Sequence, residues 1–416
     1  MRFLHNCAAF RRTVLAAAVC LLFCAAVFSQ EPPPRISGFS FDGLKRTKEF
    51  VIQRDLQRFI GMEISDSVLH DIETVLQSEN LFTDISLEAV PLSEAESDIR
   101  ISLNEKISIL PIPIVAVTDG SFAAGAFFLD SNAMGMKNTF VIGGLFSAKM
   151  LMGTALFARP ASGRIPGITV YTGVAKKNYE ITDTKENELF SFDSLSVSGQ
   201  LRLTEKFGEA FSAGIGTGFS IISVDSADGI AQCIESVKAW ENCVSLSVSV
   251  SDWNGTFMSE KSASAEGSAA VTACSDAFYA AEAKIRIQHP VTERLRFIQS
   301  ACAFCGFDTP VVFYRGGSSV SVRLFPDDFV SERLAGISAG LEYALLPTRI
   351  GLVSVYGVYQ AACAKEFDSS LVCSQGAGGG LRLYLSKIAF PACAFEMIYN
   401  MTEQRVSTGF SLGISF

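Results

Sequence analysis

Over most of the chain, apolar and polar residues alternate one by one. The clearest case is residues 244–251, where four apolar side chains share one face and four serines the other, and residues 195–203 and 283–287 repeat the pattern. Successive side chains of a β-strand point to opposite faces, so this period of two predicts strands with one apolar and one polar face. Such segments recur from residue 122 to the C-terminus, with polar turns between them.

A different pattern precedes them and ends near Pro111-Ile-Pro113. Residues 35–41 alternate as a short strand, and Thr47 and Ser65 can each cap a helix with apolar positions at the helical period. Two further strand-like runs follow, residues 82–90 and 99–105. The order strand, helix, helix, strand, strand predicts an α+β domain over residues 34–108, in which one sheet face buries both helices.

The N-terminus predicts export. A positive region, an apolar stretch of about a dozen residues and small-residue cleavage positions follow one another: Arg2, Arg11 and Arg12, then residues 13–24, then Val27 and Ser29. The apolar stretch is too short to span a bilayer, so residues 1–29 are predicted to be a signal peptide. The alternative is a lipoprotein leader ending at Cys24, where Phe23 is bulky for the preceding position.

Composition then narrows the fold class. No uncharged apolar run of about 20 residues follows the leader, yet mean hydropathy is +0.30 and aromatic residues make up 11% of the chain. Since only helices and closed barrels satisfy their backbone in lipid, residues 115–416 are predicted to form an all-β transmembrane barrel of about 16 antiparallel strands. The net charge of −9 and the lack of a basic stripe argue against nucleic-acid binding.

Cysteines and glycines suggest structural roles. Eight of eleven cysteines follow the leader, and an even number in an oxidising compartment permits disulfides. The pairs Cys233/Cys243 and Cys363/Cys373 could staple loops, with apolar wall positions as the open alternative. Cys302 and Cys305 point to opposite faces of a strand, so no redox or metal site is expected there. The glycine runs 214–218 and 376–380 lie within strands, where glycine lets a strand bend or a loop approach closely.

The sequence offers no catalytic set. It has no HExxH motif, and its three histidines are too few for a Ser-His-Asp arrangement to be more than chance, so no enzyme activity, catalytic residue or cofactor is predicted.

Residues 35–106 resemble a POTRA domain, the periplasmic module of the BamA/TamA family of bacterial outer-membrane surface-antigen barrels. An unrelated small α+β domain is the alternative. The matching positions are Ile36, Gly38, Gly43, Thr47, Ile52, Leu56, Gly61, Leu76, Leu81, Phe82 and Ile85.

Residues 312–346 resemble the long extracellular loop of the same family, whose Val-Arg-Gly-Phe-like tip folds back into the barrel. By this resemblance Val322, Arg323 and Phe325 form the tip motif, and Glu342 is the strand acid that anchors the loop. A lone arginine inside a lumen must be paired, and a buried arginine–carboxylate bond would pin the loop. A solvated charge on an ordinary surface loop is the alternative.

Further matches and departures flank this loop. Residues 130–135 resemble the family's first hairpin turn, and residues 378–382 resemble its glycine-rich strand. The chain ends like an outer-membrane assembly signal, with alternating Phe410, Leu412, Ile414 and Phe416. Leu324 replaces the tip glycine, Ala344 replaces a basic residue, and Gln360 and Ala362 stand where the family has Asp-x-Gly.

The resemblance implies a protein of the bacterial outer membrane, with its N-terminal domain in the periplasm, that assists insertion or translocation of other polypeptides. Its partners would be the lipid bilayer, unfolded outer-membrane clients and periplasmic accessory proteins. Clients would add to the last domain strand or the one before it, or enter a seam between a first strand near residues 126–129 and the final strand. The alternative is a plain channel or structural surface barrel. A lateral seam predicts a short, weakly paired final strand, whereas a porin predicts a full ladder.

Overall fold

A computed structural model describes residues 33–412 except positions 80, 94, 119–120, 163–164, 209, 227–234, 255–256, 275, 321, 348–350, 368–369 and 386–390. The predicted leader, and Ile414 and Phe416 of the predicted terminal signal, lie outside the described residues. The chain divides into two compact units between Ile107 and Ser108.

The N-terminal unit has the predicted order of elements: β1 (Arg35–Asp42), α1 (Glu49–Leu56), α2 (Asp66–Ser78), β2 (Phe82–Pro91) and β3 (Glu96–Glu105). Strand β3 is central, parallel to β1 and antiparallel to β2. Of the two strands expected to offer a sheet edge, only β2 therefore lies at one. Among the described residues, no helix is both long enough and apolar enough to cross a membrane.

The core of this unit follows from the helical period. One face of each helix packs on the sheet, and the fully buried residues are Ile36, Ile52, Leu56, Ile72, Leu76, Ile99 and Ile101. Ser65 caps α2 as predicted, because its hydroxyl accepts the Val68 N–H. Thr47 does not cap α1, whose N-cap is Lys48; the Thr47 N–H instead donates to Glu105 at 2.7 Å.

Sixteen strands in the described part of the chain close into one antiparallel barrel, which confirms the predicted number. They are β4 (Ile109–Thr118), β5 (Ser121–Ala133), β6 (Asn138–Ser147), β7 (Met150–Arg159), β8 (Gly167–Thr182), β9 (Glu188–Phe207), β10 (Phe211–Ser226), β11 (Val237–Asn254), β12 (Phe257–Thr272), β13 (Ala277–Pro290), β14 (Leu295–Phe307), β17 (Arg333–Pro347), β18 (Gly351–Lys365), β19 (Leu371–Leu385), β20 (Pro391–Asn400) and β21 (Arg405–Leu412). Two short strands, β15 (Arg315–Gly316) and β16 (Val330–Ser331), pair separately between β14 and β17.

The first barrel strand begins earlier than the sequence suggested. Strand β4 contains Pro111 and Pro113, so the strand expected first, near residues 126–129, is the second strand, β5. Proline lacks the N–H that a central strand donates and is confined to edge strands, strand starts and bulges. Here the prolines occupy the strand at which the barrel closes against β21.

The wall alternates as predicted. In β11 the side chains of Val244, Leu246, Val248 and Val250 are exposed on the outer surface. Exposed apolar residues of this kind occur on strand after strand, as lipid contact requires.

Cys363 and Cys373, directly opposed on β18 and β19, form one of the two predicted disulfides. Cys243 carries a free thiol within the wall, and Cys233 lies outside the described residues.

Candidate functional site: a loop seated inside the barrel

The connection between β14 and β17, residues 308–332, folds into the barrel; we call it the lumen loop. It contains two short 3₁₀ turns, Val311–Phe313 and Gly317–Val320, and the β15–β16 pair. Its tip residues Val322, Leu324 and Phe325 are at most 5% exposed. They pack with inward-facing residues of four wall strands: Ile298, Cys302, Leu334, Tyr356, Val358, Ala362, Ala364 and Ile398.

Three inward-facing glycines on alternate strands receive the tip; we call Gly336, Gly376 and Gly409 the glycine seat. A Cβ atom at Gly336 would lie 3.1 Å from a Val322 methyl, and one at Gly376 would lie 2.7 Å from a Leu324 methyl. At Gly409, on the last strand, it would lie 2.8 Å from the Arg323 guanidinium carbon. A Cβ atom at any of these positions would force the neighbouring tip side chain to shift, so glycine lets the loop approach closely, as predicted for Gly376.

Arg323 is paired, but not with the predicted acid. Its Nε atom lies 2.7 Å from Glu396 Oε1 on β20. The other Glu396 oxygen accepts the Tyr356 hydroxyl at 2.6 Å. The expectation that Glu342 anchors the loop arginine is therefore corrected: Glu396 takes that part.

Glu342 binds side chains of the barrel wall and not the lumen loop. Its carboxylate is fully buried and lies 2.8 Å from Arg296 of β14 and 3.0 Å from Arg382 of β19. The Ser354 and Tyr384 hydroxyls donate to its other oxygen at 2.5 Å and 2.9 Å. Two cations and two hydroxyls satisfy the acid, as a buried carboxylate requires. We call these five side chains the wall cluster.

The two networks meet through an aromatic ring. The Arg382 guanidinium lies over the Tyr356 ring, 3.9 Å from its centroid, while the Tyr356 hydroxyl binds Glu396. Contacts between a cation and a ring face are attractive. The loop tip and the wall cluster are thus linked through Tyr356.

Two residues that depart from the pattern of the resembled family, Leu324 and Gln360, make contacts that hold the tip. Gln360 accepts the Arg323 backbone N–H at 2.9 Å with its side-chain oxygen. Leu324 fills the space above Gly376, and its carbonyl accepts the Asn400 amide at 2.7 Å. Neutral hydrogen bonds therefore hold the tip backbone alongside the Arg323–Glu396 ion pair.

Sequence reasoning missed Arg296, Arg382, Glu396 and Asn400. Each stands at an inward position of an otherwise apolar or small-residue strand, so a charged or amide side chain within a period-two run was the available signal. That signal identifies the face, but it does not identify the partner.

The base of the lumen loop fills the end of the barrel where the loop starts, which we call the loop end. Val312 and Val330 join a cluster with Ile181, Phe190 and Phe192 from the other side of the barrel. The Phe313 and Phe278 rings lie 5.0 Å apart. The loop therefore crosses the lumen and contacts both sides of it.

The barrel closes between β21 and β4, and we call this junction the seam. Within the described residues, four residue pairs join these strands, from Gly409↔Thr118 to Leu412↔Val115. Eight pairs join β21 to β20. Since Arg323 contacts Gly409, the loop tip rests on the strand that forms the seam.

Phe410 lies at the seam and faces outward. Leu412 ends the last described strand, and the rest of the terminal signal lies outside the described residues.

No protein-family model matches this sequence, and no curated protein matches it. Solved structures do. BamA from Haemophilus ducreyi lacking POTRA domains 1–3 has a TM-score of 0.61 at 13% identity, over 92% of this chain and 85% of that one. CdiB from Acinetobacter baumannii has a TM-score of 0.65 at 11% identity, over 92% and 74%. CdiB from Escherichia coli has a TM-score of 0.64 at 16% identity, over 92% and 76%. The chain has a BamA-like barrel fold.

Proposed function

We propose that this protein lies in the bacterial outer membrane and assists the insertion or translocation of other polypeptides. The observation that carries the proposal is the position of the loop tip. Arg323 is held by Glu396 and rests against Gly409, on the strand that closes the barrel. The likeness to BamA and CdiB barrels supports the same function.

The seam would act by strand exchange. An unfolded client segment can add to the edge of β21 or β4, because backbone N–H and C=O groups at an open strand edge accept any extended chain. Each pair lost between β21 and β4 is replaced by a similar pair with the client. Client folding would supply the driving force, and no hydrolysis or cofactor is needed.

The N-terminal unit would act as a single POTRA-like periplasmic domain. The structural likeness spans 92% of this chain, more than the barrel unit alone contributes, and so supports this assignment. Strand β2 lies at a sheet edge, where a client or a periplasmic accessory protein can add as a further strand.

The lumen contents favour this function over a plain channel. In the described part of the chain, the lumen loop packs against inward residues from both sides of the barrel. A steady pore would require this loop to leave its seat.

Depletion tests the function directly. When this protein is depleted, we expect the other outer-membrane barrel proteins to fall in abundance, measured by quantitative proteomics of isolated outer membranes. Unchanged levels of all of them would contradict the proposal.

A seam lock tests the mechanism. Ala116 and Ser411 are opposed across the seam, so the pair Ala116→Cys/Ser411→Cys can form a disulfide there. We expect the oxidised variant not to restore the depleted cells and the reduced one to restore them. Ser268→Cys/Ala280→Cys, an opposed serine–alanine pair within the wall, is the matched control and should restore them in both states.

A further inference from the structure

Three polar contacts cross the loop end of the barrel. Asp328 of the lumen loop lies 2.7 Å from the Lys149 ammonium, in the turn between β6 and β7. Arg405, at the start of β21, pairs with Glu186 in the connection between β8 and β9. Thr184 in that connection donates its hydroxyl to Glu366, after β18, at 2.9 Å.

The first contact is part of a larger group. The Lys149 ammonium also lies 2.6 Å from Glu180 of β8, and the Thr182 N–H donates to the Asp328 carbonyl. Burial alone would lower the pKa of Lys149, but hydrogen bonds to Asp328 and Glu180 raise the pKa above its ordinary value. Lys149 thus stays charged when bound.

The topology gives these contacts a shared property. Lys149, Thr184 and Glu186 lie in connections between strands that follow the seam, β6 to β9. Their partners belong to the strands that precede it: Glu366 and Arg405 lie between β18 and β21, and Asp328 lies in a loop whose tip is seated on β17 to β21. Any movement that parts the N-terminal strands from the C-terminal strands lengthens all three contacts.

We propose that these three contacts form a latch across the loop end that holds the seam closed. The inference rests on the proposed function only in taking seam opening to be the working movement. The latch also couples the seam to the loop, because unseating the tip carries Asp328 away from Lys149.

The exposure of the groups makes the latch releasable. The Lys149 and Asp328 side chains are each 33% exposed and Glu180 is 46% exposed, so each ion pair is partly screened by solvent. Partly exposed pairs are individually weak, and a set of them can open without unfolding the barrel. A buried cluster such as that of Glu342 could not part in this way.

Hydrogen exchange of the purified full-length protein in lipid nanodiscs tests the latch without any client. The double variant Asp328→Asn/Glu186→Gln removes two ion pairs while keeping side-chain size. We expect amides of β4 and β21 to exchange about tenfold faster, while those of β11 and β12 keep their rates. Glu266→Gln is the matched control: it breaks the 2.7 Å Arg202–Glu266 pair inside the barrel without touching the latch, and should leave the seam unchanged.

The exchange experiment has three possible outcomes, and each either supports or overturns the latch. Faster exchange confined to the seam supports the latch. Unchanged seam exchange overturns it, and so does an equal acceleration in every strand, which would mean general destabilisation. The depletion experiment is independent of all three results, so loss of the latch and loss of the proposed function are distinguishable.

Discussion

The two sides of the barrel are alike outside and different inside. On the opposite wall, β9 to β13, inward positions of β11 and β12 are largely small and polar, and the Arg202–Glu266 pair is about one-third exposed. On the loop-side wall, β17 to β21, inward positions hold the glycine seat and the fully buried Glu342. The outer faces of both walls carry exposed apolar residues.

The two walls differ because only the loop-side wall has to position the tip of the lumen loop. Alternation alone builds a wall that closes and meets lipid, and the opposite wall needs little more. A buried charge cluster is costly unless every group is satisfied, so it is weak evidence for stability by itself. Its position beside the loop tip points instead to fixing where the loop sits.

The largest expected difference between the walls concerns their acids. Glu342→Gln leaves Arg296 and Arg382 facing a neutral amide, so we expect the free energy of unfolding to fall by about 3–5 kcal/mol. Glu266→Gln, on the opposite wall, should cost about 1 kcal/mol or less because its ion pair is partly exposed. Guanidinium unfolding in detergent, followed by the fluorescence of Trp240 and Trp253 on β11, measures both. If the two variants lose equal free energy of unfolding, the two walls do not differ in how strongly they depend on their acids.

Packing of the loop tip should give the next largest effect. Leu324 is 1% exposed, and Leu324→Ala removes its contacts above Gly376. We expect loop seating to weaken by about 2–4 kcal/mol, as for other buried leucines. Hydrogen exchange of the amides of residues 322–325 measures it. Leu246→Ala, on the outer face of the opposite wall, should leave these amides unchanged; protection of the tip in both variants would contradict the packing argument.

The strand number and the loop tip were predictable because they rest on local signals. Alternation with period two sets which residues face inward, and the tip motif stands out as Val322-Arg-Leu-Phe325. Pro111 and Pro113 hid the first barrel strand from sequence-based prediction, since proline is uncommon inside a paired strand. The closing strand tolerates them.

The partners of the tip could not be predicted in the same way. Period two places Glu342 and Glu396 on the same inner face, but it does not say how deep the loop reaches. Arg296 and Arg382 come from strands far apart in sequence and already neutralise Glu342, which leaves Glu396 for Arg323. Such choices depend on the closed barrel and are absent from any local window.

The glycine seat gives a third, smaller effect. Gly336→Ala places a methyl group 3.0 Å from the Val320 carbonyl oxygen and 3.1 Å from a Val322 methyl, both in the lumen loop, and overpacking of this kind costs about 1–3 kcal/mol. Gly267→Ala on β12 is the matched control, because nothing lies within 4 Å of its new Cβ atom. We expect faster exchange of tip amides in the first variant alone. If both variants leave the tip protected, the seat accommodates side chains and the close approach has no energetic role.

The smallest effect concerns Gln360, which stands where the family that the sequence resembles has an acid. Its side-chain oxygen accepts the Arg323 N–H at 2.9 Å, so Gln360→Ala should weaken tip seating by about 1 kcal/mol, or about fivefold in exchange at that amide. Gln360→Glu keeps the acceptor and should keep the protection. Because Gln360 is neutral, it does not balance the charge of Arg323; Glu396 does. Slower exchange in Gln360→Glu than in the wild type would show that an acid at position 360 still strengthens the seat, and that the neutral residue trades affinity for easier release.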